Sequence, residues 1–435
     1  MVPELKKKLQ EAGLDGWDFW CSESPGTPSV SFETGRLKNI ASSESIGLGV
    51  RVVRDGRIGF ASCRHHTDWD PVVENAIASA RYGEKAVFEF PGPATLPEWI
   101  KPDETIKALS METLIERCRE AVEILKEGVP EMQIGAGAGA SLGTVVYANS
   151  AGQEAEYEGT SYHISSGGLL FRGESPIWIG RGHSRTDTKI DHVADAKEVV
   201  DLVAKTEKEF HPPTGSYPVY FSPYAVGAIL QAFQIGLHGK QVQKGISPLK
   251  DRIGEKVADE GLTLTDDPFI EGSPAGMPFD GDGLPTRENV LIEKGVVRSY
   301  VLDLQTAGLL GMESNACAGR GSGGLPGPSY SNIRVEPGTR TGEEMIRSMN
   351  KGIFVDAVIG GGQSNLLMGE FSLNIGLGFW IENGEYAGRV KDTMVAGNVY
   401  DVFNGSFEIA SRPLQVGGLY TPGILLDGLS VVSNA

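Results

Sequence analysis

Two rhythms of apolar and polar residues run along the chain. In "GLGVRVVRDGRIGFASC" (residues 47–63) they alternate, the period of a strand with one buried face. Val50 and Val52 lie on one side of Asp55-Gly56 and Ile58 and Phe60 on the other, which predicts a tight hairpin. Apolar positions three to four apart predict helices over 3–13, 70–83, 110–127 and 193–209. Pro3 suits a first helical turn, and Ser110 is placed to cap the third of these helices. Alternation returns over 131–182, broken by an Asn-Ser-Ala-Gly turn at 149–152. "HPPTGSYP" (211–218) stops the fourth helix and predicts a domain boundary. Beyond it come a short strand, "YPVYFS", and "AVGAILQAFQIGLHGKQV" (225–242), a helix apolar enough to be buried. The rest reads as strands, with hairpins in "VLIEKGVVRSYVLD" (290–303) and "GFWIENGEYAGRV" (378–390). The expected class is α+β. A mixed α/β N-terminal domain (residues 1–212) precedes a β-rich C-terminal domain (213–435), an antiparallel barrel or sandwich.

Charge narrows the function. The 435 residues carry a formal net charge of −18, the opposite of what binding to a phosphate backbone requires. No direct nucleic-acid binding is expected. The one basic cluster, Lys6-Lys7-Lys8, falls on the solvent side of the first helix. No apolar run is long enough to span a bilayer, so no membrane association is expected. "MVPELKKKLQEAG" is amphipathic and lacks the apolar segment of a secretory leader. Four scattered cysteines form neither a disulfide framework nor a zinc ribbon. Together these predict a reducing compartment, the cytoplasm.

Local motifs carry little chemistry. His65-His66, near Asp68 and Asp70, resembles a metal site, but neighbours in a strand point to opposite faces. The pair reads as a polar loop. "DGDG" (280–283) lacks the spaced ligands of a calcium loop and reads as a tight turn. "GRGSGGLPG" (319–327) and "GGGQS" (360–364) lack the Lys-Ser/Thr of a phosphate loop. They read as close backbone packing or as peptide-contacting loops. No G-x-S-x-G nucleophile elbow occurs.

Four longer segments resemble the TldD/PmbA family, also called modulators of DNA gyrase. They are "FETGRLKNIASSESIGLGVRVVRDGRIGFAS" (32–62), "ANSAGQEAEYEGTSYHIS" (148–165), "FDGDGLPTRENVLIEKGVVRSYVLDLQTAGLLGMESNACAGR" (279–320) and "GIFVDAVIGGGQSNLLMGEFSLNIGLGFWIENGEYAGRVKDTMVAGN" (352–398). The resemblance implies two kinds of chain. TldD-like chains carry His-Glu-x-x-x-His on the helix that opens the C-terminal domain, with a cysteine near the C-terminus completing a zinc site. TldE (PmbA)-like chains lack that motif and pair with the first kind.

Aligned on the motif, "LQAFQI" (230–235) puts Leu230 and Ile235 where the histidines would be and Gln231 where the glutamate would be. Leu and Ile have no lone pair for zinc, and a Gln amide cannot take a proton from a metal-bound water. No cysteine follows Cys317, and Glu408 falls near the expected position. His238 lies about two turns beyond Gln231, on the same face if the helix continues. Gln231, Gln234 and His238 are candidate peptide-groove residues. The resemblance thus implies a PmbA/TldE-like chain without catalytic or metal-binding residues of its own. No cofactor is expected, zinc belonging to a TldD-like partner. The expected partners are that zinc peptidase subunit, in a heterodimer, or a second copy of this chain. The expected substrate is peptide or unfolded protein. Three alternatives stand beside it. They are a stand-alone peptidase with a different site in the Gly-rich loops, a non-enzymatic peptide-binding homodimer, and direct binding of DNA or gyrase.

Overall fold

The N-terminal alternation becomes one antiparallel sheet. A computed structural model describes residues 2–64, 69–360 and 365–433. In chain order its first part runs α1 (Val2–Glu11), β1 (Gly16–Glu33), β2 (Arg36–Arg54), β3 (Arg57–Cys63), α2 (Asp70–Ala80), α3 (Glu104–Lys107), α4 (Met111–Gly128), β4 (Gln133–Asn149), β5 (Glu154–Arg172), β6 (Ser175–Arg185) and α5 (His192–Ala204). The strands order as β3-β2-β1-β4-β5-β6, antiparallel at each seam. Asp55 (φ 51°) and Gly56 (φ 68°) form the two-residue turn between β2 and β3. Positive φ at both central positions is what a right-twisted hairpin demands.

Helices α4 and α5 cover one face of the sheet. Ser110 caps α4 by accepting a hydrogen bond from the Thr113 amide at 3.2 Å. The helix buries Leu114, Cys118, Ala121, Val122 and Leu125, a single stripe at helical spacing. Burial of each leucine contributes roughly 2 kcal/mol. The predicted fourth helix is shorter than its pattern. It ends at Ala204, where the Thr206 hydroxyl donates to the Val203 carbonyl at 2.7 Å. The basic cluster on α1 is engaged locally: Lys6 pairs with Glu154 at 2.6 Å and Lys8 with Asp70. His65, His66, Asp68 and residues 361–364 of the second Gly-rich segment lie outside the described residues.

The second part begins with β7 (Glu209–Phe210), β8 (Gly215–Phe221), α6 (Pro223–Leu237), α7 (Gly239–Gln243), β9 (Leu264–Asp266), β10 (Asn289–Glu293), β11 (Val296–Val297) and α8 (Leu304–Leu310). It continues with β12 (Ala318–Gly319), β13 (Gly327–Pro328), β14 (Ile333–Val335), α9 (Gly342–Ser348), β15 (Lys351–Ile359), β16 (Glu370–Glu382), β17 (Glu385–Val390) and β18 (Thr393–Asn398). It ends with α10 (Val399–Asn404), β19 (Phe407–Ile409), β20 (Leu414–Val416), β21 (Leu419–Thr421) and β22 (Ile424–Ser433). Strands β15, β8, β22, β18 and β16 pair in that order, and β16 pairs back onto β15, closing a five-stranded barrel. Its β15–β8 seam is parallel. A second sheet, β11-β10-β9-β14-β21-β20, flanks it and ends on β20. The α+β class, with a β-rich barrel in the second half, is as the periodicity predicted.

The barrel core is formed by Val219, Phe221, Ile353, Val355, Trp380 and Leu426, among others, with the buried face of α6 packed into the same cluster. Leu377 and Phe379 of β16 pack instead into the core under α4 and α5, so the two halves share apolar packing.

Candidate functional site

Helix α6 follows directly from β8, with Ser222 at its N-cap and Pro223 in its first turn. It buries Ala225, Val226, Ile229, Leu230, Ala232, Phe233, Gly236 and Leu237. Leu230 is fully buried, at 0% exposure, while Gln231 is exposed and Gln234 and Ile235 are half-buried. The positions that align with the zinc motif therefore point in different directions.

The predicted helix over 225–242 is not continuous. It stops at Leu237, and His238 (φ −74°, ψ 119°) is extended. The Val301 amide donates to the Leu237 carbonyl at 3.0 Å, and the Gly239 amide donates to the Val301 carbonyl at 3.0 Å. A neighbouring strand segment thus takes over the helix's own hydrogen bonds. Gly239 permits the approach: a Cβ there would lie 2.5 Å from the Val301 oxygen. This corrects the placement of His238 two turns along one face. Its Nδ1 accepts from the Lys240 amide at 3.3 Å, capping α7. Burial first, and then Lys240 and Lys244, push its pKa down.

Gln231 and Gln234 do come together. They line an open groove of about 470 Å³ with Tyr330, Ser331, Val416 and Leu419. The Tyr330 hydroxyl donates to the Gln234 carbonyl at 2.6 Å and ties the groove wall to α6. His238 is outside this lining. Strand β20, which contributes Val416, is the end strand of its sheet.

The residues present do not fit a zinc ion. Hydrocarbon and a neutral amide stand at the motif positions, and two lysines flank the one histidine nearby. Glu408, on β19, forms an ion pair with Arg340 at 2.7 Å. Among the described residues no three His, Cys, Asp or Glu side chains are grouped to hold a metal.

The sequence reading missed a buried polar centre beside the groove. Asp280–Gly283 is the expected tight turn, with the Gly283 amide donating to the Asp280 carbonyl at 3.0 Å. Its carboxylates do more. Arg51 of β2 donates from Nε to Asp18 Oδ2 of β1 at 3.0 Å and pairs with Asp282 Oδ1 at 2.9 Å. Arg320 reaches Asp18 Oδ1 at 2.9 Å. Phe88 and Phe90 cover the Arg51 guanidinium, with ring centroids 4.7 and 5.1 Å away. These four side chains are at most 2% exposed and join the N-terminal sheet to the C-terminal half. The available signal was Arg51 itself, a charge inside the apolar run "GVRVV".

A cavity of about 170 Å³ adjoins this centre, lined by Trp20, Asp280, Cys317, Arg320 and Ser329, and shares Tyr330 and Ser331 with the groove. Cys317 donates to Asp266 Oδ2 at 3.2 Å and accepts from Asn289 Nδ2 at 3.2 Å. Burial, and then Asp266, push the thiol far up, so it stays protonated and is a poor nucleophile. Burial and repulsion from Asp282 push Asp280 up to about 8, outweighing three backbone amides that donate to it.

Comparison with known proteins gives a consistent picture. Residues 214–433 match the family described as "PmbA/TldA metallopeptidase C-terminal domain", and residues 29–80 match "PmbA/TldA metallopeptidase domain 1". The metalloprotease PmbA of Escherichia coli is 25% identical, over 97% of this chain and 94% of that one. A metalloprotease of Methanothermobacter thermautotrophicus is 26% identical, over 86% and 84%. Among solved structures, TldE from Thermococcus kodakarensis superposes with a TM-score of 0.92 at 24% identity, covering 99% of this chain and all of that one. A protein described as a modulator of DNA gyrase from Thermotoga maritima gives a TM-score of 0.90 at 21% identity, over 99% of this chain. At these identities the structural likenesses establish the fold.

Proposed function

The chain belongs to the PmbA/TldD metallopeptidase family, and from that premise we propose that it is a PmbA/TldE-like, non-catalytic subunit. In this reading it works with a zinc-bearing TldD-like peptidase on peptides or unfolded segments and activates no water of its own. One observation carries the proposal: α6 presents buried Leu230, exposed Gln231 and half-buried Ile235 where metal ligands and a general base would stand.

The groove gives the subunit something to do. Primary amides at Gln231 and Gln234 each offer donors and an acceptor to a peptide backbone. The end strand β20 lies alongside and can pair with an extended segment. Both contacts are indifferent to side-chain identity, which suits a subunit that holds varied peptides. Cleavage by the chain alone through Cys317 is disfavoured, because its thiol stays protonated. Cytoplasmic location fits the free cysteines. Among the described residues no helix is long and apolar enough to cross a membrane.

A peptidase assay tests the proposal. The purified chain alone is expected to cleave no peptide, with or without added zinc. Together with a TldD-like chain it is expected to raise cleavage above that of the partner alone. Chelator-insensitive cleavage by the lone chain would overturn it.

A further inference from the structure

A second cavity, of about 450 Å³, lies between the two halves of the molecule, on the far side of β8 and β15 from the barrel core. Its floor is aromatic. Tyr220 stacks on Phe354 with centroids 5.8 Å apart, and Tyr386 meets Phe354 edge-on at 5.7 Å. One wall is α5, which turns Asp195, Glu198 and Asp201 toward the cavity at three-residue spacing. Like charges so placed destabilise a helix unless something offsets them. Glu343 of α9 stands on the opposite wall.

Some of this charge is already matched. Arg181 forms a two-pronged pair with Asp356 at 3.0 and 3.1 Å and donates to Glu198 at 2.9 Å. Asp195 lies 3.4 Å from His183. Asp201 and Glu343 have no ion-pair partner among the described residues. In all, five carboxylates face three cations, Arg181, Lys205 and Arg412.

The rings of this cavity already receive cations. The Arg181 guanidinium sits 4.0 Å over Tyr224, and the Lys205 ammonium sits 4.6 Å over Tyr386. Tyr220 supplies an independent polar contact. The residue is only 5% exposed, lines the cavity, and its hydroxyl has no hydrogen-bond partner among the described residues.

We infer that this cavity binds an organic cation, a guanidinium or ammonium group that lies on the Tyr220–Phe354 part of the floor, donates to the Tyr220 hydroxyl and pairs with Asp201 and Glu343. The group is either that of a small amine or that of a basic peptide side chain. Because α5 belongs to one half of the molecule and α9 to the other, the ligand bridges them. The inference is independent of zinc and of peptidase activity, so it can fail without the proposed function failing.

Calorimetric titration of the full chain at low salt tests it, with agmatine and a capped Ala-Arg-Ala peptide as probes. Saturable one-to-one binding is expected. The double variant Asp201→Asn/Glu343→Gln alters only exposed side chains and should weaken binding about tenfold with thermal stability unchanged. Tyr220→Phe should weaken it by a smaller factor. A tighter fit for the peptide assigns the site to basic side chains, and a tighter fit for agmatine assigns it to small amines. No saturable binding of either probe, equal binding of a citrulline peptide, or indifference to the double variant overturns the inference.

Discussion

The α6 groove and the centre around Arg51 share a neighbourhood, meeting across Tyr330 and Ser331 through the small cavity between them, yet their chemistry is opposite. The groove is open and offers neutral amides beside hydrocarbon. The centre is closed and holds Asp18, Arg51, Asp282 and Arg320, each charge facing another. Where this chain is accessible to a peptide near α6 it carries no ionised group of its own on the helix face. Around Arg51 it gathers ionised groups and seals them between its two halves. Charge serves architecture in the second place, and its absence from the first is what the proposed non-catalytic role rests on.

Breaking the closed region should have the largest effect. Arg51→Met leaves Asp18 and Asp282 buried with one guanidinium fewer, and urea denaturation should show a loss of about 3–5 kcal/mol. A loss below about 1 kcal/mol would mean that the centre is hydrated rather than sealed. Next comes the buried face of α6. Leu230→Ala should cost about 3 kcal/mol. The triple change Leu230→His/Gln231→Glu/Ile235→His should destabilise the chain without creating a zinc site, because position 230 faces the core. Recovery of stoichiometric zinc by that variant would contradict the geometry.

An effect of pH, comparable in size, concerns Asp280. Its folded carboxyl titrates near 8 and its unfolded one near 4. The folded chain therefore binds more protons across that interval, and stability should fall as pH rises from about 4 to about 8. Asp280→Asn should flatten that part of the curve, as read from melting temperatures at matched pH values. The smallest effect on stability belongs to the open region. Gln231→Ala should shift unfolding by less than about 0.5 kcal/mol, while weakening retention of an unfolded peptide severalfold. A large stability change there would make Gln231 a structural residue.

Much of this contrast was legible in the residues. The hairpin at Asp55-Gly56 and the stripe on α4 rest on local rules, and both formed as the pattern required. The substitution of ligands by Leu230, Gln231 and Ile235 follows from the family resemblance and needs no coordinates. What failed was the continuity of α6. The break at His238 depends on Val301, more than sixty positions away, and nothing within 225–242 announces it except Gly239. The Arg51 centre was hidden for the same reason. Its four members come from four distant segments, and "DGDG" reads as a turn whether or not Asp282 meets an arginine. The helical pattern over 193–209 assigned the α5 carboxylates no role, because the other side of their cavity comes from β8, β15 and α9, far along the chain.

The most direct test is the zinc content of the purified chain after equilibration with excess zinc and removal of unbound metal. Far less than one ion per chain is the expected result, since no ligand set stands at residues 230–238. One tightly held zinc per chain, lost when His238 is replaced, would contradict the account.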